Sequence, residues 1–170
     1  MKTIKNDGIV ALQLMKPDFQ KAAFELKMGT DVHSSVTLLH DDGTLARVAV
    51  GEISYTAKRC GFFRPYVTLR KEGYDNNEAV IFLNVKDGSR CIIGGESYYF
   101  KLLNLWKNQW GWALDTNQVI LRYKPCISGT LRADVEVTKD SARIECIDML
   151  AVLGVYFLGL LEQDVKILSE

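Results

Sequence analysis

From Ile144 to Leu161 the chain carries only two charged side chains, Glu145 and Asp148, and the thirteen residues after Asp148, MLAVLGVYFLGLL, carry none. On a helix through this segment Leu150, Leu153, Phe157, Leu160 and Leu161 line one face, while Val152, Val155, Tyr156 and Leu158 occupy the rest. A helix apolar on every side belongs in a deep core or in a membrane. A bilayer span takes about 20 apolar residues, whereas a run of about 10 to 14 suits a buried helix. Asp148 would cost roughly 3 kcal/mol at the bilayer centre, and Gly154 and Gly159 let packed neighbours approach closely. The rest of the chain must therefore build a container for this helix. A membrane tail and an oligomer-interface helix are the competing placements.

What precedes the helix reads as strands. Asp41-Asp42-Gly43, Gly73 to Asn77, Asp87-Gly88 and Asp115 to Asn117 separate short runs rich in Val, Ile, Thr, Tyr and Phe. Short runs of this kind between turn-formers are the hairpin pattern. About a dozen such runs fit between Ile9 and Val137, and several alternate: Leu131, Ala133, Val135 and Val137 interleave with Arg132, Asp134 and Glu136. Alternation places one face on a core and the other in water, as in antiparallel meanders. Pro17 to Ala22 hints at a short helical turn. The expected fold is mainly β: one domain over residues 1–170 of the 170-residue chain. Its closed antiparallel barrel of about twelve strands, over 9–137, surrounds a central hydrophobic C-terminal helix at about 144–163.

An approximate repeat supports a meander. Gly51-Glu52-Ile53-Ser54-Tyr55 returns as Gly95-Glu96-Ser97-Tyr98-Tyr99, and Phe62 aligns with Trp106 at the same offset of 44. A propeller needs at least four blades, so two copies within one closed sheet explain the period better.

Catalytic groupings are sparse. Lys and Arg number 21 against 21 Asp and Glu, which argues against a general nucleic-acid coat. Cys60, Cys91, Cys126 and Cys146 are too dispersed for a disulfide framework or a zinc site and read as reduced core or strand residues. His33 and His40 flank a strand on opposite faces and read as solvated or turn histidines. Asp41 and Asp42 beside Gly43 fit turn chemistry. Gly94-Gly95 fits a hairpin turn and no phosphate loop. Glu52 and Glu96 occupy matching turns, and an acid/base pair would require them to meet in space. No catalytic residue, metal site or cofactor is expected.

One polar feature stands out. Lys58, Arg59, Arg64, Arg70 and Lys71 supply five positive charges before the first acid, Glu72, with Phe62, Phe63 and Tyr66 interleaved. Cations and aromatics at a turn suit an anionic phospholipid surface, and single-stranded nucleic acid uses the same side chains. The simpler reading is a solvated hairpin face whose aromatics cap the barrel end. Trp106, Trp110 and Trp112, accompanied by Lys101 and Lys107, form the equivalent second cluster and read as barrel plugs in the same way.

The segments ISYTAKRCGFFRPYVTLRKEG, SYYFKLLNLWKNQWGWALD and IDMLAVLGVYFLGLLEQD together resemble the tubby C-terminal-like superfamily, which includes plant LURP-one-related proteins and phospholipid scramblases. The resemblance runs from about Ala22 to Asp164 and implies a twelve-stranded barrel threaded by its C-terminal helix. Scramblases carry palmitoylated cysteine clusters, a proline-rich N-terminal region and a calcium-linked acidic segment. This chain instead has isolated cysteines and three prolines. The basic phosphoinositide-binding strand residues of tubby proteins have no residue-by-residue counterpart here. The expectation is a non-enzymatic binding or scaffold domain, cytoplasmic or peripheral to the membrane, contacting anionic phospholipid or a protein partner and no nucleic acid. A ligand carrier or enzyme with a site at a barrel rim, and a protein anchored through its C-terminal segment, are the alternatives.

Overall fold

The computed structural model describes residues 11–40, 43–84 and 86–169. Its strands are β1 (Ala11–Met15), β2 (Ala23–Met28), β3 (Asp31–Leu38), β4 (Leu45–Val50), β5 (Ile53–Cys60) and β6 (Tyr66–Lys71). They continue as β7 (Asn77–Phe82), β8 (Ser89–Ile93), β9 (Glu96–Asn104), β10 (Gln109–Ala113), β11 (Val119–Ser128) and β12 (Leu131–Val137). Each strand pairs antiparallel with its sequence neighbour, and β1 closes on β12 with Leu12 opposite Val135. Closure leaves no free sheet edge. A 3-10 turn over Lys139–Arg143 then leads into α1 (Ile147–Ser169).

The closed barrel of twelve strands with an apolar C-terminal helix agrees with the sequence expectation. The helix starts later than position 144, because the Ile144 N–H donates to the Ser141 carbonyl at 2.9 Å and ends the 3-10 turn. Pro17 to Ala22 forms bends and a turn in place of a helical turn. There the Asp18 carboxylate accepts the Gln20 N–H at 2.9 Å, which satisfies locally a donor that a helix would have used. Asp41 and Asp42 lie outside the described residues, so their turn chemistry is not placed.

Alternation sets the walls. Leu12 and Leu14, Phe24 and Leu26, Val48 and Val50, Val67 and Leu69, and Val135 and Val137 all point inward and are buried. Side chains alone fill a barrel of about eight strands, and much wider ones hold water. Twelve strands leave room for one helix, and α1 fills it. From Ile147 to Leu160 every residue is buried except Met149 and Leu158, which are half-buried. Phe157 stacks on Phe100 with ring centres 5.1 Å apart. The Tyr123 hydroxyl donates to the Ala151 carbonyl at 2.6 Å. That contact requires Gly154, since a Cβ there would lie 2.1 Å from the Tyr123 oxygen.

Ionic contacts tie the helix down at both ends. β3 carries a bulge: Ser34 pairs with Leu26 and Val32 with Lys27, leaving His33 between them. A bulge turns consecutive residues to one face, so His33 and Ser34 are both buried. His33 Nε2 lies 3.0 Å from an Asp148 carboxylate oxygen. This corrects the reading of His33 as solvated, which assumed a regular strand. His40 follows β3 and is exposed. At the other end of the helix, buried Lys16 contacts Glu162 at 2.5 Å.

The repeat is real, but its structural offset is 43. β4 and β5 are joined by residues 51–52, β8 and β9 by 94–95, and the first glycines of the two turns have φ of 59° and 58°. Buried Tyr55 therefore matches buried Tyr98, and Tyr99 lies on the outer face.

Candidate functional site: the far end of the barrel

In an up-and-down barrel alternate connections share an end. The near end, where α1 begins, carries the connections at 29–30, 51–52, 72–76, 94–95 and 114–118. The far end, toward which α1 runs, carries those at 16–22, 39–44, 61–65, 83–88, 105–108 and 129–130.

The exposed apolar side chains are divided unevenly between these ends. Among the described residues ten large hydrophobics are exposed, and seven belong to the far end: Phe19, Leu39, Phe62, Phe63, Phe82, Leu105 and Trp106. Phe62, Phe63 and Trp106 are 92%, 91% and 97% exposed. The barrel-plug reading of these aromatics is therefore wrong for the turn tips. The lumen is already filled by α1, and the tips project into solvent. Further along the same strands the reading holds for Trp112, which is fully buried, while Trp110 is half-buried. Phe62 and Phe63 meet edge to face at 5.1 Å, and Arg132 lies 4.8 Å above the Phe19 ring. This uneven distribution makes the far end the candidate surface.

The five cations singled out in the sequence do not form one patch. Lys58, Arg59 and Arg64 lie at the far end of β5 and in the turn after it, whereas Arg70 and Lys71 end β6 at the near end. Five residues along a strand span roughly 17 Å. Arg70 donates to the Asn77 side-chain oxygen at 2.8 Å, and the Lys71 ammonium sits 5.0 Å from the centre of the Tyr74 ring. Lys86 and Lys107 are exposed in far-end turns beside the aromatic tips. Far-end acids are partly engaged: Asp18 pairs with Lys21 at 3.4 Å and Glu162 with Lys16.

Arg59 differs from its neighbours. Tyr55, Ala57 and Arg59 occupy the inner row of β5, so the guanidinium faces the lumen at the mouth. It stands close enough to Tyr156 to oppose the effect of burial, which raises that phenol well above its ordinary value. Two cavities flank the helix here. One of about 270 Å³ is lined by Arg59, Ser89, Phe100, Trp110, Phe157 and Leu160, among others. The other, about 740 Å³, shares Trp110 and Leu161 with it.

The near end is chemically different. A groove of about 760 Å³ is lined in part by Glu96, Asp115, Arg143, Glu145 and Cys146. Glu52, in the β4–β5 turn, and Glu96, the first residue of β9, are both exposed and separated by four strands. They are not the matching turn residues read from the sequence, since at the offset of 43 Glu52 corresponds to Gly95, and only Glu96 borders this groove. Among the described residues no group of three His, Cys, Asp or Glu side chains is placed to hold a metal ion. The four cysteines are free, with Cys91 buried and its thiol pushed far up by desolvation. Among the described residues no helix is long and apolar enough to cross a membrane.

Three parts of this arrangement went beyond the motifs singled out in the sequence: Phe19, Leu39 and Leu105 joining the aromatic tips, Arg59 facing inward, and the His33–Asp148 contact. The first two follow from connection parity and strand alternation once closure is assumed. The third depends on a bulge, which leaves no local sequence mark. Comparison with protein-family models, curated proteins and solved structures gives no match.

Proposed function

We propose that the chain is a non-enzymatic lipid-contacting domain of the tubby C-terminal-like type, whose far end docks on an anionic phospholipid membrane. Twelve strands closed round an apolar C-terminal helix are what that family's fold requires. One observation carries the functional reading: Phe62 and Phe63 project from the far-end turn at 61–65 and Leu105 and Trp106 from the one at 105–108, on either side of the β7–β8 connection, with Lys58, Arg64 and Lys107 on the same strands and turns. Aromatic rings settle at the headgroup level of a bilayer, and each nearby Lys or Arg adds about 1 kcal/mol of attraction to an anionic leaflet. The barrel would then stand end-on to the membrane, on its cytoplasmic face, with α1 retained inside it.

Co-sedimentation with vesicles tests this reading. Wild type should pellet with phosphatidylserine-containing vesicles, remain in the supernatant with pure phosphatidylcholine, and release at high salt as screening shortens to a few ångströms. Lys58→Gln with Arg64→Gln removes roughly 2 kcal/mol, about a thirtyfold loss of affinity. Phe62→Ser with Trp106→Ser should weaken binding as well. Arg70→Gln with Lys71→Gln, at the near end, should leave it unchanged. Equal loss from the near-end and far-end pairs, or no binding to anionic vesicles, overturns the proposal.

A further inference from the structure

Equal totals of acid and base argue against a general nucleic-acid coat, but they conceal a division that folding makes along β5 to β9. Lys58, Arg64, Lys86, Arg90 and Lys107 lie in the far halves of these strands or in the turns beside them, with Asp87 as the acid in their midst. Glu72, Asp75, Glu78 and Glu96 lie at the near ends. Across the cationic half runs one row of outer side chains. Tyr66 of β6 pairs with Phe82 of β7, Phe82 with Arg90 of β8, and Arg90 with Tyr99 of β9. Their chain neighbours Val67, Ile81, Cys91 and Phe100 are buried, so strand alternation turns the row itself outward. Phe82 is exposed, and Tyr66 and Tyr99 are half-buried. Among the described residues none of these three rings stacks on another ring. Arg90 Nε and Nη2 both donate to the Ser97 hydroxyl oxygen, at 3.2 and 3.0 Å, which fixes the guanidinium against β9. Neighbouring strands lie about 4.8 Å apart, so the row covers roughly 14 Å.

We infer that the outer face of β6 to β9 is a binding site for single-stranded nucleic acid, with bases stacked on Tyr66, Phe82 and Tyr99 and phosphates taken by Arg90 and the far-end cations. A four-stranded sheet can stack about two or three bases on its aromatic side chains. Stacking accepts any base, because every base has a π face, and a cationic surface follows the backbone without reading sequence. Arginine suits this position, since its planar fork matches phosphate oxygens and its face stacks on rings. A duplex is the poorer ligand, because its bases are already stacked on one another. A bilayer is the poorer occupant of the row as well. It meets the turn tips at Phe62 and Trp106, whereas the row stands on the side wall.

This site shares cations with the docking reading but not its rings, so the two fail separately. Fluorescence anisotropy of a labelled, unstructured ten-nucleotide uridine-rich RNA, titrated with the full chain, tests it. The controls are a GC-rich RNA duplex of ten base pairs and an inorganic polyphosphate of ten phosphates, which carries the charge without the bases. The single strand should bind, and each control should bind at least tenfold more weakly. Phe82→Ala and Tyr99→Ala should each weaken the single strand at least fivefold, the loss of one stacked base. Neither should change vesicle co-sedimentation. Arg90→Gln should reduce the slope of log affinity against log salt by about 0.7, the loss of one phosphate contact. Phe62→Ser with Trp106→Ser should weaken vesicle binding and leave RNA affinity within twofold of wild type. All these side chains lie on the outer surface, so circular dichroism melts should match wild type. No RNA binding, equal affinity for duplex or polyphosphate, or an unchanged affinity in Phe82→Ala with Tyr99→Ala overturns the inference, even where vesicle binding persists. RNA binding without vesicle binding supports the site and overturns the docking reading.

Discussion

Replacing Gly154 by alanine measures how tightly the barrel grips its helix. In an exposed helix interior this change stabilises by about 1 kcal/mol, because glycine is the poorer helix former. Here the added methyl would lie 2.1 Å from the Tyr123 oxygen, 2.4 Å from Cζ and 2.7 Å from Cε2. Tyr123 is buried on β11, and its hydroxyl donates to Ala151, so the ring has no free direction in which to retreat. Overpacking of a core costs typically 1–3 kcal/mol, and a displaced buried hydrogen bond adds about 1 kcal/mol. After the gain in helix propensity is offset, Gly154→Ala should destabilise by about 1–3 kcal/mol. Urea denaturation followed by circular dichroism reads this as a lower midpoint, by about 0.5–1.5 M for a slope near 2 kcal/mol per molar, with the slope unchanged. Tyr123→Phe should not rescue it, because the ring carbon at 2.4 Å remains. A variant more stable than wild type, or a double variant restored to wild-type stability, would refute a helix packed against β11.

Two further outcomes test the polar contacts. Glu162→Ala should destabilise by several kcal/mol, since it leaves the buried Lys16 ammonium without this partner, whereas Glu162→Ala with Lys16→Met should recover most of the loss; urea midpoints of the two variants decide it. Glu136 has its carboxyl held below the ordinary carboxylate value by Lys124, 2.6 Å away, and by Arg122. Its folded pKa is depressed, so its contribution is present above the unfolded value and fades as pH falls through the folded one. Glu136→Gln should therefore cost less than about 1 kcal/mol at neutral pH, and its midpoint should merge with that of wild type in acid; a gap that widens in acid contradicts the pairing.

The barrel was legible because its strands obey period two and its helix obeys no amphipathic period at all. Those two facts demand a closed sheet with something apolar inside. The site was legible only in part. Lys58 to Lys71 read as one basic run, yet a hairpin's two strands carry its residues to opposite ends, and β6 takes Arg70 and Lys71 away from Arg64. The aromatic tips were visible at Phe62 and Trp106, but their exposure was not. A turn aromatic caps a hollow barrel and overhangs a filled one, and only the burial of α1 over Ile147 to Leu160 decides between these. His33 was misjudged because bulges are set by local hydrogen bonding between neighbouring strands, which hydrophobic periodicity does not register.

The measurement closest to the central claim uses a tryptophan already at the far end. Trp106 is 97% exposed, Trp112 is fully buried and Trp110 is half-buried, so the red edge of the emission reports Trp106. Quenching by lipids brominated at different depths in phosphatidylserine-containing vesicles locates that ring. The account predicts a blue shift on adding vesicles and quenching strongest for shallow bromines, with both lost in Trp106→Phe while the melting temperature stays the same. A spectrum that anionic vesicles leave unchanged under conditions where the protein co-sediments would show that the far end is not the surface that meets the membrane.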